Sequence, residues 1–416
     1  MSASSTNTAT TPTAGTPAAT VTHPAAFPWS GLIIIASAIF LTVTTEFLPT
    51  GLLPDMAREL TVSPSQIGFL VTVFAGTVVL STAPLTILTR KYSRKRLVVV
   101  VMLVLAFGTG LAAIAPSYEI LLLARVIGGL AHGLFWAVVG AYAGHLVPKH
   151  QLGRAIAITS AGGTTAFVLG IPVGTMLGHA VGWRLAFAIV GVAVVGIAAL
   201  VVKFLPPVVH LEHLRTGEIP LPLRKDRSIR GVALICVIII VMMLGQFTFY
   251  TYIAPYLIAV SGFPGGQIGL LLLAYGLGGA VGLALSAVIG ARYPRGGLIG
   301  SVVLVVLSVL TLTLFSTNQV VVVVAFICWG TFFGGVPALL QVRMLQVASA
   351  RIRDAASASF ATAFNIAIAC GALIGGTLID RVGIAVLPWV ELMFLVAALG
   401  IMVMAEFVRS RSRSGA

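Results

Sequence analysis

Residues 66–70 read QIGFL, and residues 267–271 read QIGLL. The two stretches are 201 positions apart, and the same offset, without a gap, aligns other uncommon letters. Pro54 meets Pro255, Tyr92 meets Tyr293 and Arg94 meets Arg295. Ala124, Gly129 and Gly133 meet Ala325, Gly330 and Gly334, while Gly170, Gly174 and Gly182 meet Gly371, Gly375 and Gly383. Apolar letters coincide easily in an apolar chain. Pro, Gln, Tyr and Arg at one fixed offset do not, so the chain is read as an internal repeat.

What is repeated follows from composition. Of 416 residues, 58% are hydrophobic and only 9% charged, against roughly a quarter charged in a soluble domain. That is too little charge for a water-exposed surface, so the chain belongs in a bilayer. A spanning helix takes about 20 apolar residues. Twelve such runs occur, at 31–53, 66–88, 97–115, 119–145, 153–178, 183–204, 231–258, 266–290, 297–315, 319–345, 355–379 and 386–408. Helices are expected because they satisfy their backbone internally, and the alternation of membrane strands is absent.

The polar segment 205–230 divides the runs six and six. An even number gives both halves one orientation, so the repeats are parallel, and such halves can rock about a central site. The expected organisation is a six-helix bundle at 29–204, a linker at 205–230 and a second bundle at 231–408. A disordered tail at 1–28 and a basic tail at 409–416 flank them. The fold class is an all-α membrane protein of twelve transmembrane helices.

The net charge of +14 has a topological meaning. With a cytoplasmic N-terminus, the loops at 89–96, 146–154, 205–230, 291–296 and 350–354 and the C-terminal tail are inside. With Lys203 and Arg343 at helix ends, they hold 21 of the 25 lysines and arginines. That obeys the positive-inside rule, places both termini in the cytoplasm and removes nucleic acid as a partner. The first 30 residues carry no Lys, Arg, Asp or Glu, and so lack the positive start of a signal peptide. Cys236, Cys328 and Cys370 lie inside apolar runs and are expected as free thiols. There is no Walker-type phosphate loop and no metal-ligand spacing. The reading is no enzyme and no cofactor.

Five stretches then carry a resemblance: TEFLPTGLLPDMA (45–57), ARVIGGLAHGLFWAV (124–138), LGIPVGTMLGHAVGWRLAF (169–187), FYTYIAPYL (249–257) and FNIAIACGALIGG (364–376). Together they resemble the major facilitator superfamily, in its twelve-helix drug:proton antiporter branch, and within that the bacterial sugar-efflux transporters. The resemblance spans about Trp29 to Phe407. It implies a bacterial cytoplasmic (inner) membrane transporter, acting as a monomer on a small molecule, with protons and membrane lipid as its other partners. One signature departs from the family. The loop between the second and third helices usually reads Gly-x-x-x-Asp-Arg-x-Gly-Arg-Lys; here residues 86–95 read TILTRKYSRK, with Thr86 at the first glycine, Arg90 at the acid and Ser93 at the second glycine. Lys91 and Arg94 keep the basic character. They either gate the cytoplasmic face, through carboxylates or helix C-termini, or only fix topology.

Glu46 sits within the first run, about 10 Å from its outer end at 1.5 Å per residue. Arg125 lies at a similar depth in the fourth. A charge near the bilayer centre costs about 2.5–3.5 kcal/mol on insertion scales, and such residues face cavities and pair. Glu46 and Arg125 either form an ion pair or each bind elsewhere. Burial and a nearby Arg act on a carboxylate in opposite directions, so rocking can couple Glu46 to protons; the alternative is a structural pair. His132 lies seven residues from Arg125 on the same face and is expected at a polar substrate or in a proton relay.

Phe135, Gln246, Tyr250 and Asn365 are the other candidate substrate contacts, with Tyr250 preferred over Tyr252. Each also has a packing explanation. Glu391, beside Trp389, is expected at the membrane interface. Gly162, Ala166, Gly170, Gly174 and Gly178 form a small-residue stripe, which Pro172 interrupts. Gly170, Pro172 and Gly174 match the antiporter signature of the family and are expected on the sliding surface between halves. The expected function is proton-coupled export of a sugar or related neutral solute, with multidrug efflux as the alternative.

Overall fold

The computed structural model describes residues 27–89, 91–147, 151–206, 226, 228–292, 296–349 and 351–414. The expected tail at 1–28 and linker at 205–230 fall mostly outside the described residues, as do Arg90, Tyr293 and Arg295. The first half comprises α1 (Trp29–Leu60), α2 (Pro64–Thr89), α3 (Arg94–Ile114), α4 (Tyr118–Leu146), α5 (Leu152–Thr165), α6 (Ile171–Val181) and α7 (Trp183–Phe204). The second comprises α8 (Ile229–Tyr250), α9 (Ile253–Ala259), α10 (Ile268–Arg292), α11 (Gly296–Leu314), α12 (Gln319–Gly334), α13 (Val336–Val347), α14 (Arg353–Arg381) and α15 (Leu387–Ser414). Among the described residues, twelve helical stretches are long and apolar enough to cross a bilayer. The segment from 409 to 414 is a continuation of α15.

Three expected spans are broken, and each break comes a few residues before a proline. A π-helical turn, Ala166–Gly170, joins α5 to α6 just before Pro172. The α8–α9 break at Tyr252 precedes Pro255, and the α12–α13 break at Gly335 precedes Pro337. A proline supplies no N–H to the carbonyl four residues back and crowds it. The widened or broken turn accommodates both effects.

The 201-residue offset is visible in packing. A Cβ added at Gly129 would come 2.7 Å from the Phe74 carbonyl oxygen; one at Gly330 would come 2.3 Å from that of Tyr275. Gly133 lies against the Val78 carbonyl and Gly334 against that of Gly279. Each pair and its partners are 201 apart, so α2 packs on α4 as α10 packs on α12. Only glycine allows backbones this close. Gly182 and Gly383 share a positive φ, 92° and 103°, and each begins the turn into the last helix of its half. The outer surface is apolar, with Leu80, Ile114, Val192 and Val320 among the most exposed side chains, as contact with acyl chains requires.

The halves are tied at the end remote from the basic loops. Ser65 Oγ donates to Asp380 Oδ1 at 2.7 Å, and Thr72 Oγ1 to the Ala369 carbonyl at 2.9 Å. Gly269 accepts Pro172 and Met176 against its backbone, and Gly276 accepts Phe167. The glycine stripe has a different partner from the one expected. Gly162, Gly170, Gly174 and Gly178 face Ala36, Thr44, Leu48 and Leu52 of α1, a constant offset that marks two parallel helices packed in register within one half. The stripe fastens α1, while the half-to-half face of this span is carried by Phe167, Pro172 and Met176.

At the basic end, Arg94 is buried in the first turn of α3, and Ser93 caps that helix by accepting from the Arg96 N–H. Lys91 is exposed. Asp226 ties the start of α8 to the loop after α13. It accepts from the Ser228 N–H and hydroxyl and from the Ser349 hydroxyl, at 2.6–2.8 Å. These bonds, that from the Ser228 hydroxyl first, hold its carboxyl below the ordinary aspartate range.

Candidate functional site

The polar centre of the first half is built around a proline. Pro49 lies inside α1 and has no N–H, so the Thr45 carbonyl loses its helical donor. Arg125 of α4 takes that place, donating to the Thr45 carbonyl at 3.0 Å and to the Glu46 carbonyl at 2.7 Å. Its guanidinium carbon stands 4.2 Å from the centre of the Phe74 ring, a cation–π contact. The guanidinium therefore binds the Glu46 backbone, and the carboxylate turns elsewhere.

Glu46 Oε2 lies 3.4 Å from His132 Nε2. The same nitrogen accepts the indole N–H of Trp136 at 2.7 Å. Glu46 is 4% exposed and His132 2%, so bulk water does not decide this arrangement. Neutral imidazole nitrogen has one lone pair. While Nε2 accepts from Trp136, it carries no proton; once protonated it can only donate, and Glu46 is the acceptor within reach. One proton thus selects between two bonding patterns. Glu46 Oε1 and His132 Nδ1 are buried with no hydrogen-bond partner among the described residues, leaving sites for a proton, water or solute group. Trp136 was not among the residues singled out from sequence. Its signal is the four-residue spacing from His132, which stacks both on one helix face.

A cavity of about 270 Å³ lies between the halves, lined by Phe167 from the first half and by Gln246, Phe247, Tyr250, Tyr275, Phe333 and Phe364 from the second. Its lining carries no charged side chain among the described residues. Gln246 is fixed on both sides: Nε2 donates to the Tyr275 hydroxyl and Oε1 accepts from the Trp329 indole, both at 3.2 Å. Tyr250 packs on Tyr275 with ring centres 5.2 Å apart. Phe47, next to Glu46, connects the two regions, its ring 5.1 Å from Phe167 and 5.7 Å from Phe247. A larger cavity, about 810 Å³, opens among α8, α11, α13 and α15. It lies within one half, so rocking of the halves cannot expose it to both sides.

Of the candidate contacts, Gln246 and Tyr250 line the central cavity, and His132 joins the Glu46 centre. Tyr252 instead donates to the Ala372 carbonyl. Phe135 is fully buried and meets Trp136 edge-on, so it is a packing residue. Asn365 donates to the Ala361 carbonyl of its own helix, and its Oδ1 is buried without a hydrogen-bond partner among the described residues; it neighbours Phe364 of the cavity wall. Glu391, four residues into α15, is 0% exposed, packed inside the protein and not facing outward. α15 turns this residue toward α8, where Gly245 lets the backbones meet closely.

The repeat offset shows how the halves have diverged. The positions of Glu46, Arg125 and His132 are occupied in the second half by Phe247, Phe326 and Phe333. One half presents ionisable groups and the other aromatic faces.

Residues 35–369 and 235–416 match the sequence profile of the Major Facilitator Superfamily. A Helicobacter pylori (strain ATCC 700392 / 26695) protein named "Probable sugar efflux transporter" is 31% identical over 362 residues, covering 86% of this chain and 90% of that one. Bacillus subtilis (strain 168) YtbD, named as an uncharacterized MFS-type transporter, is 32% identical and covers 92% of this chain and 97% of its own. The solved nucleoside transporter NupG is 15% identical, with a TM-score of 0.72 over 90% of this chain and 98% of that one.

Proposed function

The chain belongs to the Major Facilitator Superfamily and is a multi-pass membrane transporter, and we propose that it exports a sugar or related neutral solute in exchange for protons. The sugar-efflux names of its relatives support the solute class. So does a cavity wall of aromatic faces with Gln246 and Tyr250 beside them. Rings stack on the apolar faces of sugars, and amide and phenol groups bond hydroxyls. A wall without charge suits a neutral solute.

The proposed bodies are 29–204 and 231–408, joined by 205–230, rocking in a bacterial cytoplasmic membrane with both termini inside. In that orientation the Ser65–Asp380 and Thr72–Ala369 ties close the outer end, and the cavity faces the cytoplasm. The observation that carries proton coupling is the shared His132 Nε2, 2.7 Å from the Trp136 indole and 3.4 Å from Glu46. A proton there switches His132 from acceptor to donor, and Glu46 sits next to Phe47 at the contact between halves. Proton binding and rocking therefore act on the same groups.

The solute class is tested by a thermal-shift screen of the purified protein against sugars, polyols and amphipathic drugs, since a ligand binding the folded state raises apparent stability. Stabilisation by sugars or polyols supports this reading. Stabilisation by drugs alone moves the assignment to multidrug efflux.

A further inference from the structure

We propose that Glu391 is a second proton-binding site of this transporter, holding its proton in the conformation described here and releasing it when the outer end opens. Glu391 is 0% exposed, and neither carboxylate oxygen has a hydrogen-bond partner among the described residues. A carboxylate with both oxygens bare in a membrane interior is far costlier than the neutral acid. The packing seen here therefore holds the acid in its protonated form.

Among the described residues, the surroundings supply no ion-pair partner for it. On α8, Gly245 closes over the Glu391 backbone: an added Cβ would come 3.1 Å from its carbonyl oxygen and 2.7 Å from Phe394 Cβ. The titratable residues of α8 are Arg230 in its first turn, Cys236, and Tyr250 at its last position, and α11 carries none. From α14, Asp380 and Arg381 lie toward the same end, and Asp380 accepts from Ser65 across the halves. Tyr275 of α10 lies within electrostatic reach of Glu391. Its hydroxyl accepts from Gln246, which leaves its own proton to donate.

Movement is linked to this site through α8 and α9. Phe247, two residues from Gly245, stacks on Phe47 of the other half, and Tyr252 packs against Gly68. Parting the halves at this end changes what α8 rests on, and with it the α8–α15 contact over Glu391. An arrangement that brings a hydroxyl or water to the carboxylate favours its ionised form. The inference requires neither a particular solute nor proton carriage by Glu46.

The test is infrared spectroscopy of the carboxyl C=O stretch in reconstituted protein, for wild type, E391Q, G269W and G269W/E391Q. Gly269 lies against Met176 and Pro172 of the other half, so an indole there wedges the outer end open. The wild-type minus E391Q difference is expected to contain a protonated-carboxyl band, and the difference within the G269W pair to show carboxylate bands in its place. Absence of the protonated band from the first difference overturns the site, and its persistence in the second overturns release. E391D, which keeps the acid but moves the band, gives the same reading if E391Q does not fold.

Discussion

Arg125 occupies the hydrogen-bonding place that Pro49 leaves vacant. The proline removes the donor to the Thr45 carbonyl, and the guanidinium supplies one at 3.0 Å. A charge is thereby held inside the first half by backbone carbonyls, and the Glu46 carboxylate is left to His132.

This relationship predicts a double-mutant result. R125M leaves the buried Thr45 carbonyl without a donor and takes from the Glu46 carbonyl its second one, and should lower stability by about 1–3 kcal/mol. P49A restores the N–H that reaches Thr45 and should recover part of that loss when combined with R125M. Thermal midpoints of the four proteins in detergent measure the coupling; strict additivity would show that the two residues act separately.

Trp136→Phe removes the indole N–H from His132 Nε2 while keeping an aromatic ring. The histidine then takes a proton more readily, so the pH profile of transport should move to higher pH. The movement should be below about one pH unit, since a net hydrogen bond is worth about 1 kcal/mol. Initial transport rates across a pH series give the answer, and an unmoved profile would exclude Trp136 from the switch.

In the cavity wall, Gln246→Ala strands the Trp329 indole and the Tyr275 hydroxyl. Solute affinity should fall about tenfold, equivalent to about 1.4 kcal/mol, with the folded yield retained. His132→Ala should also weaken binding of a polar solute. Binding isotherms of both variants, compared with wild type, decide whether each group contacts the solute.

The α1–α5 contact makes a prediction about folding alone. A Cβ at Gly162 would stand 2.0 Å from the Ala36 carbonyl oxygen, while Gly196 has open space around it. G162A should destabilise by about 1–3 kcal/mol through overpacking, and G196A should not. Thermal midpoints again provide the comparison.

The Asp226 latch carries a pH signature. Its carboxyl is held below the ordinary range by Ser228 and Ser349, so its contribution is complete above the unfolded-state pKa and disappears as pH falls through the lower folded value. D226N should be less stable than wild type at neutral pH, and the gap should close on acidification. Unfolding midpoints from pH 7 down to the acid limit of the folded protein follow this.

Much of the architecture was legible because a bilayer leaves few choices. Twelve apolar runs and a fixed offset were sufficient for twelve spans in two parallel halves. The helix breaks were less visible, because Pro49, Pro54 and Pro84 lie inside continuous helices, whereas Pro172, Pro255 and Pro337 follow interruptions. At the site, type and depth pointed to Glu46, Arg125 and His132, but not to which atoms meet. That depends on the carbonyl freed by Pro49. Trp136 was obscured because an indole in an apolar run reads as packing. The burial of Glu391 was not legible, because distance from a helix end speaks of depth alone, while the packing of α15 on Gly245 is what encloses the residue.

The central claim is that an outward flux of solute is driven by protons through Glu46. The most direct measurement is solute flux in proteoliposomes under an imposed pH gradient, with and without a protonophore, for wild type and E46Q. The account predicts solute accumulation against its gradient in wild type, loss of that accumulation with protonophore, and none in E46Q even though the variant still binds solute. Accumulation that is the same in E46Q, or that survives collapse of the gradient, would contradict it.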